Sequence, residues 1–257
     1  FNIDGADILD PLAKLTVPTH ELPEFKIDIP RFTLGQDNPL DHVKAMVITD
    51  RRFPTSDGLT VSVELAVNTH GTEKNPFDAD PDDPRLACGS IALIDDVSGT
   101  VLNFEVSNRR VFAMRERFAV TAPEGPGTVV PLADPILTDF NIEPGSWHRY
   151  EIIYHPGDDG WFNPGSDCAT WLVDGNIVHE VSWISTKDPP VAPIIKPANF
   201  RVVMAIFTLL DDLPDGRGGT IPGLDPNYKQ SIFGQGATAR WRNLKVLNSV
   251  QSRHVRK

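Results

Sequence analysis

Thr60-Val61-Ser62-Val63-Glu64-Leu65-Ala66-Val67-Asn68 changes polarity at almost every step. Successive side chains of a strand point to opposite faces. Val61, Val63, Leu65 and Val67 therefore share one side, and Thr60, Ser62, Glu64 and Ala66 the other. A helix would space its apolar residues by three and four instead. This is a strand with one face in a core.

The same alternation recurs along the chain. Ser90–Ile94 reads as a strand, and Thr100–Ser107 sets Leu102, Phe104 and Val106 against Asn103, Glu105 and Ser107. Val111–Phe118 follows with mixed alternation, and Trp147–His155, Ala169–Val173, Ile177–Trp183 and Ala239–Leu247 complete the set. Asp174-Gly175-Asn176 supplies the positive-φ positions of a tight hairpin. Phe200–Leu210 is almost continuously apolar, as suits a strand covered on both sides. Twenty-three prolines and nineteen glycines separate these runs. About a dozen strands and few helical periods predict an all-β sandwich or barrel.

The 257 residues are 40% hydrophobic. A chain of this size buries about 70–75% of its unfolded surface without help from disulfides. No linker composition divides it, so one domain is expected over 1–257. Within it the reading gives an extended, proline-bearing N-terminal wrap over 1–45, a core over 46–248 and a basic tail over 249–257. The net charge is −11, which argues against nucleic-acid and anionic-membrane partners, since phosphate binding needs clustered cations. No apolar run approaches the ~20 residues that span a bilayer. The absence of an initial Met leaves room for a removed leader, and the compartment stays open. Cys88 and Cys168 belong to no closely spaced framework, and whether they pair is also open.

Four segments, in order, resemble the concanavalin A-like lectin/glucanase superfold, and within it the laminarinase–lichenase glycoside hydrolases of family 16. Trp147-His148-Arg149-Tyr150-Glu151-Ile152 is similar to that family's FHxYxIxW strand. Trp171-Leu172-Val173-Asp174-Gly175, with Val178 after it, is similar to WYVDGxxV. Phe200–Thr208 resembles the apolar ILNLAVGG strand beneath the cleft, and Trp241-Arg242-Asn243-Leu244-Lys245-Val246 the closing VDYVRVY strand. The resemblance spans roughly residues 58–247 and implies a two-sheet antiparallel jelly roll with a ligand groove.

The family's catalytic strand reads ExDxE, and retaining hydrolysis needs two carboxyls about 5–5.5 Å apart. The corresponding strand here is Gly89-Ser90-Ile91-Ala92-Leu93-Ile94. Ser90, Ala92 and Ile94 take the three cleft positions, and only Asp95 and Asp96 follow. The resemblance thus brings a groove without the family's double-displacement acids.

Laid on the family's sheet, the groove floor gains Asn103, Glu105 and Ser107 from the next strand and Ser62 and Glu64 from an earlier one. Val203, Ala205 and Phe207 come from the apolar strand. Glu64 and Glu105 form the sharpest pair. In a partly apolar groove a carboxyl's pKa rises and it can serve as general acid or base. The alternative is a pair of solvated glutamates, or one held by Arg110 or Arg115. Arg115-Glu116-Arg117 either brings Arg115 beside the groove or guards an edge strand. A one-residue slip would reverse all of these placements.

Other features carry two readings each. His148 and Tyr150 share a strand face, so a His–carboxylate contact there would suit proton transfer, or the histidine caps the sandwich. No nucleophile-elbow sequence supports a Ser–His–Asp site. No histidine or cysteine cluster has metal-ligand spacing. Asp78-Ala79-Asp80-Pro81-Asp82-Asp83 has the oxygen spacing of a calcium loop but lacks the glycine and distal glutamate of an EF-hand. Asp211, Asp212 and Asp215 are a weaker version. No cofactor is expected beyond a structural calcium. Trp161, Phe162 and Trp183 either stack on a ligand or pack under loops.

Two functional classes follow. One is a lectin-like protein that binds a carbohydrate or other small ligand in the groove. The other is a cofactor-independent cyclase, isomerase or dehydratase acting on a hydrophobic natural-product-like substrate. A glycoside hydrolase with its carboxylates moved to Glu64 and Glu105 ranks below both. An open, aromatic-rimmed groove favours glycan, and a closed apolar one favours a small hydrophobic molecule.

Overall fold

The computed structural model describes residues 13–30, 43–70, 87–108, 111–119, 128–130, 136–138, 142–157, 167–182, 196–208 and 236–248, together with four two-residue strands between 213 and 231. In chain order the strands begin with β1 (Lys14–Thr16), β2 (Phe25–Ile29), β3 (Val43–Ile48), β4 (Phe53–Pro54), β5 (Leu59–His70) and β6 (Ala87–Asp95). Next come β7 (Thr100–Val106), β8 (Val111–Ala119), β9 (Thr128–Val130), β10 (Ile136–Thr138), β11 (His148–His155) and β12 (Cys168–Val173). Then follow β13 (Asn176–Ser182), β14 (Asn199–Thr208), β15 (Leu213–Pro214), β16 (Thr220–Ile221), β17 (Leu224–Asp225), β18 (Gln230–Ser231) and β19 (Gly236–Asn248).

Two antiparallel sheets face each other. The first runs β1-β2-β19-β5-β11-β12-β13. The second runs β10-β8-β7-β6-β14-β3, with β4 against β14 and β9 against β8. Neighbours far apart in sequence, such as β19 beside β5, are the crossovers of a jelly roll rather than of a meander. The fold is the all-β, two-sheet antiparallel sandwich that the alternation predicts. Part of the expected N-terminal wrap is strand, because β1 and β2 build one edge of the first sheet and Ile27 pairs with Ala239.

The core lies between the sheets. Val61, Val63, Leu65 and Val67 of β5 point into it, as do Ile91 and Leu93 of β6 and Leu102, Phe104 and Val106 of β7. Gly89 marks a close approach of the two sheets. A β-carbon there would stand 2.7 Å from Val67 Cγ2 and 2.9 Å from the Ala239 β-carbon, so only glycine lets β6 lie this near the first sheet. The β12–β13 turn holds Asp174 at φ 50° and Gly175 at φ 82°, the two consecutive left-handed residues of a type I′ hairpin.

Two tryptophans of the first sheet reach across this core. Trp171 Nε1 donates to the carbonyl of Asn103 at 3.0 Å, and Trp241 Nε1 donates to that of Ser90, also at 3.0 Å. Both rings are fully buried. Their N–H groups need partners there, and the carbonyls they find belong to the strands that carry the candidate site.

Candidate functional site

The outer face of the second sheet, turned away from the core, is itself buried. Register places Glu105, Ser90, Ala205 and Met46 in one cross-strand row, and Asn103, Ala92, Val203 and Ile48 in the next. Phe112 and Met114 of β8 extend these rows beyond Glu105 and Asn103. Ala92, Val101, Val203 and Ala205 form a small apolar cluster with Met46, Ile48 and Ile94 against it. An ordinary sandwich turns such a face to water. Here Glu105 is 3% exposed and Asn103 2%.

The polar half of the face is a hydrogen-bonded row. Ser90 Oγ donates to Asn103 Oδ1 at 2.5 Å. Asn103 Nδ2 donates to Glu105 Oε1 at 3.0 Å. The amide is thereby oriented, since its oxygen must face a donor and its nitrogen an acceptor. Ser107 and Cys88 are completely buried at the same end. Burial, and after it the charge of Glu105, pushes the Cys88 thiol up, so it stays protonated at neutral pH. Neither Cys88 nor Cys168 is in a disulfide.

Ser90, Ala92, Ile94, Asn103, Glu105 and Ala205 are thus brought onto one face. Phe207 lies in β14, but its side chain is outside the described residues. Three expectations are corrected. Ser62 and Glu64 sit on the first sheet, where register pairs them with Lys245 and Arg242, so they face away from the sandwich on its opposite side. The two sheets separate Glu64 from Glu105, and they form no acid–base pair. Arg115 lies opposite Leu102 and therefore points to the core side, not to the Asn103 side. Ser62 and Glu64 thus keep their expected parity on the other sheet, and Arg115 lies on the other face of its own sheet.

Glu64 has a different occupation. Arg242 Nε donates to its Oε2 at 2.6 Å and Asn243 Nδ2 to its Oε1 at 2.9 Å. The bond from Asn243, then that from Arg242, holds the carboxyl below the usual carboxylate range, against a smaller upward push from burial. Asp95, which follows the β6 site strand, accepts from Val97 N and Ala198 N, and Asp96 pairs with Arg52. Both carboxylates are taken up in fixing chain turns.

A profile described as "Family of unknown function (DUF6081)" matches residues 11–250. The chain belongs to this family. No curated protein matches it. Several solved structures are similar at low identity. One comes from work on endo-acting O-glycanases with which members of the human gut microbiota initiate mucin breakdown (12% identity, TM-score 0.47, 95% of this chain and 96% of that one). Another is β-agarase A from Zobellia galactanivorans (11%, TM-score 0.44, 92% and 83%). A third is a laminarinase from Flavobacterium sp. UMI-01 (11%, TM-score 0.42, 85% and 79%). These are likenesses of chain path.

The DUF6081 chain holds a second constellation that sequence reading singled out only through His148. Its Nε2 lies 2.9 Å from Ser146 Oγ and its Nδ1 2.7 Å from Asp174 Oδ2. Asp174 Oδ1 also accepts from Arg149 N. Burial pushes the Asp174 carboxyl up. The hydrogen bonds from His148 and Arg149, with the charges of both, outweigh it and leave the carboxyl below its ordinary value. Tyr150, on the same strand face as His148, runs into the core. Ser146 and Asp174 are 28 residues apart, in a turn and a hairpin tip, so no local motif could announce them.

Among the described residues no three His, Cys, Asp or Glu side chains converge as a metal site, and no helix is long and apolar enough to cross a membrane. Asp78–Asp83, Asp211, Asp212, Asp215, Trp161, Phe162, Trp183 and the basic tail lie outside the described residues.

Proposed function

We propose that this protein binds a small hydroxylated ligand, a saccharide or a molecule of similar polarity, over the outer face of the second sheet, without family-16 hydrolase chemistry. The observation that carries this reading is the Ser90–Asn103–Glu105 row beside the apolar bed of Ala92, Val203 and Ala205. Burying a carboxylate and an amide on a sheet face costs several kcal/mol unless their bonds are kept, and no strand needs them there. The face is closed rather than open, which favours a small molecule over a long glycan. The polar row favours a hydroxylated one, whose hydroxyls bond to the row and whose C–H face rests on the small apolar side chains. The positions Ser90, Ala92 and Ile94 supply no carboxylate for a glycosyl-enzyme.

Titration calorimetry against a panel of neutral oligosaccharides tests the reading. Saturable binding should appear, and Asn103→Ala should weaken it at least tenfold. Absence of binding across the panel overturns the carbohydrate class. A second reading, cofactor-independent acid–base catalysis on a hydrophobic substrate, rests on the burial of Glu105 with Asn103 holding one of its oxygens. It requires that Glu105→Gln abolish turnover while ligand binding persists.

A further inference from the structure

We infer that Ser146, His148 and Asp174 form a second, independent site, a nucleophilic relay that hydrolyses small carboxylic esters at the end of the first sheet. It shares no residue with the face proposed above, so either reading can fail alone.

Three parts of such a relay are a nucleophile, a base in hydrogen-bond reach and a group that orients the base. The distances of 2.9 Å from Ser146 Oγ to His148 Nε2 and 2.7 Å from His148 Nδ1 to Asp174 Oδ2 meet that geometry. Asp174 is itself fixed. Its Oδ1 accepts from Arg149 N at 2.9 Å, and its own N–H donates to the Arg149 carbonyl at 2.8 Å. The type I′ turn therefore sets the carboxylate, the carboxylate sets the imidazole, and the imidazole faces the hydroxyl.

The hydrogens can be counted. With Nδ1–H donated to Asp174, neutral His148 keeps its Nε2 lone pair for the Ser146 hydroxyl. Once protonated, Nε2–H donates to Ser146 Oγ, and the serine hydrogen turns to the Glu143 carbonyl, 2.6 Å away. Partners thus stand ready for both proton states through which a general base cycles. A histidine that merely capped the sandwich would need only one.

Two guanidiniums flank the turn that carries the serine. Trp147, the next residue, is stacked by two guanidiniums, Arg242 at 4.1 Å and Arg240 at 4.8 Å from its ring centre. Arg240 also donates to the carbonyl of Gly145 at 3.2 Å. Gly145 lines a cavity of about 350 Å³ with Glu24, Lys26, Asn68, Thr238 and Arg240. That is room for part of a small polar ester, and the cavity borders the relay through Gly145 alone, since none of Ser146, His148 and Asp174 lines it.

In the reaction Ser146 Oγ bonds to the acyl carbon while its proton moves to His148 Nε2. The carbon–oxygen bond to the alcohol breaks, and the alcohol leaves with that proton. Water then adds to the acyl-serine through the same nitrogen, releasing the carboxylic acid and restoring the serine hydroxyl. Asp174 touches no reacting atom and acts as a positioning residue.

The test uses the full chain with a biotinylated fluorophosphonate and with p-nitrophenyl acetate. Stoichiometric phosphonylation should map to the Ser146 peptide by mass spectrometry. Ser146→Ala should abolish it, and His148→Gln should slow it at least a hundredfold. Asp174→Asn should lower kcat for the acetate at least tenfold with KM unmoved and unchanged circular dichroism. Arg52→Ala, which removes an ion pair with Asp96 outside both sites, should react like the parent. Absence of labelling, labelling of another serine, or equal reactivity in His148→Gln overturns the relay and leaves the calorimetric reading untouched.

Discussion

Replacing Gly89 with alanine should strain the sandwich where its layers touch. The added β-carbon meets Val67 Cγ2 at 2.7 Å and the Ala239 β-carbon at 2.9 Å, whereas carbon atoms rest about 3.5–4.0 Å apart. Neither neighbour can step aside. The Ala239 atom is bound to backbone, and a β-branched valine is stiff about χ1. Relief must come from moving β6 by a large fraction of an ångström. Overpacking of this kind costs about 1–3 kcal/mol. Against it stands the reduced freedom of the unfolded chain, about 0.4–1 kcal/mol in favour of alanine at a compatible site.

We therefore expect Gly89→Ala to lower stability by about 1–2 kcal/mol net, read as a shift in urea midpoint at constant slope. Val67→Ala alone deletes two buried methyl groups and should cost about 2 kcal/mol. Together the two changes should cost less than their sum, by about 0.5–3 kcal/mol of coupling, because the second makes room for the first. Strict additivity, or a neutral Gly89→Ala, would refute the argument that glycine is required by contact between the sheets.

Trp241→Phe should destabilise by about 1–3 kcal/mol, since it forfeits the bond to the Ser90 carbonyl as well as ring volume; a midpoint unchanged in urea would discount that bond. Glu64→Gln should lose about 0.2–1 kcal/mol at neutral pH, as exposed pairs do. Because the folded carboxyl is depressed, that contribution is present above the ordinary carboxylate range and disappears as pH falls through the folded value, so parent and variant should converge in acid. An equal gap at both pH values contradicts the assignment. In the native protein a thiol reagent should modify Cys168 before Cys88, and Glu105→Gln should make Cys88 more reactive by removing the charge that helps keep it protonated; preferential attack on Cys88 in the parent would be the contrary result.

Strand parity is written in the chain wherever the alternation is regular, because period two records which residues share a face without reference to any partner. Hence Asn103, Glu105 and Ser90 could be grouped correctly. Which sheet a strand joins is a long-range property. Leu59–His70 looks the same whether β6 or β19 lies beside it, and for that reason Glu64 was assigned to the wrong side of the molecule. Arg115 is a different case: Val111–Phe118 alternates irregularly, so period two does not fix its face, and charged residues usually avoid a core. The meeting of His148 with Asp174 depends on the β11–β12 register and the type I′ turn together, and Ser146 sits in a turn where period two gives no direction, so neither partner is legible from alternation.

The two indoles that cross the core give the protein an intrinsic optical reporter. Each donates its N–H to the carbonyl of a residue on the candidate face, so each excited-state dipole samples the local field of that strand. A molecule settling over Ser90 and Asn103 need not touch either ring to change its emission wavelength. If the proposed ligand binds there, its occupancy should be read from inside the fold as an emission change that Trp171→Phe or Trp241→Phe removes from the signal of the five tryptophans.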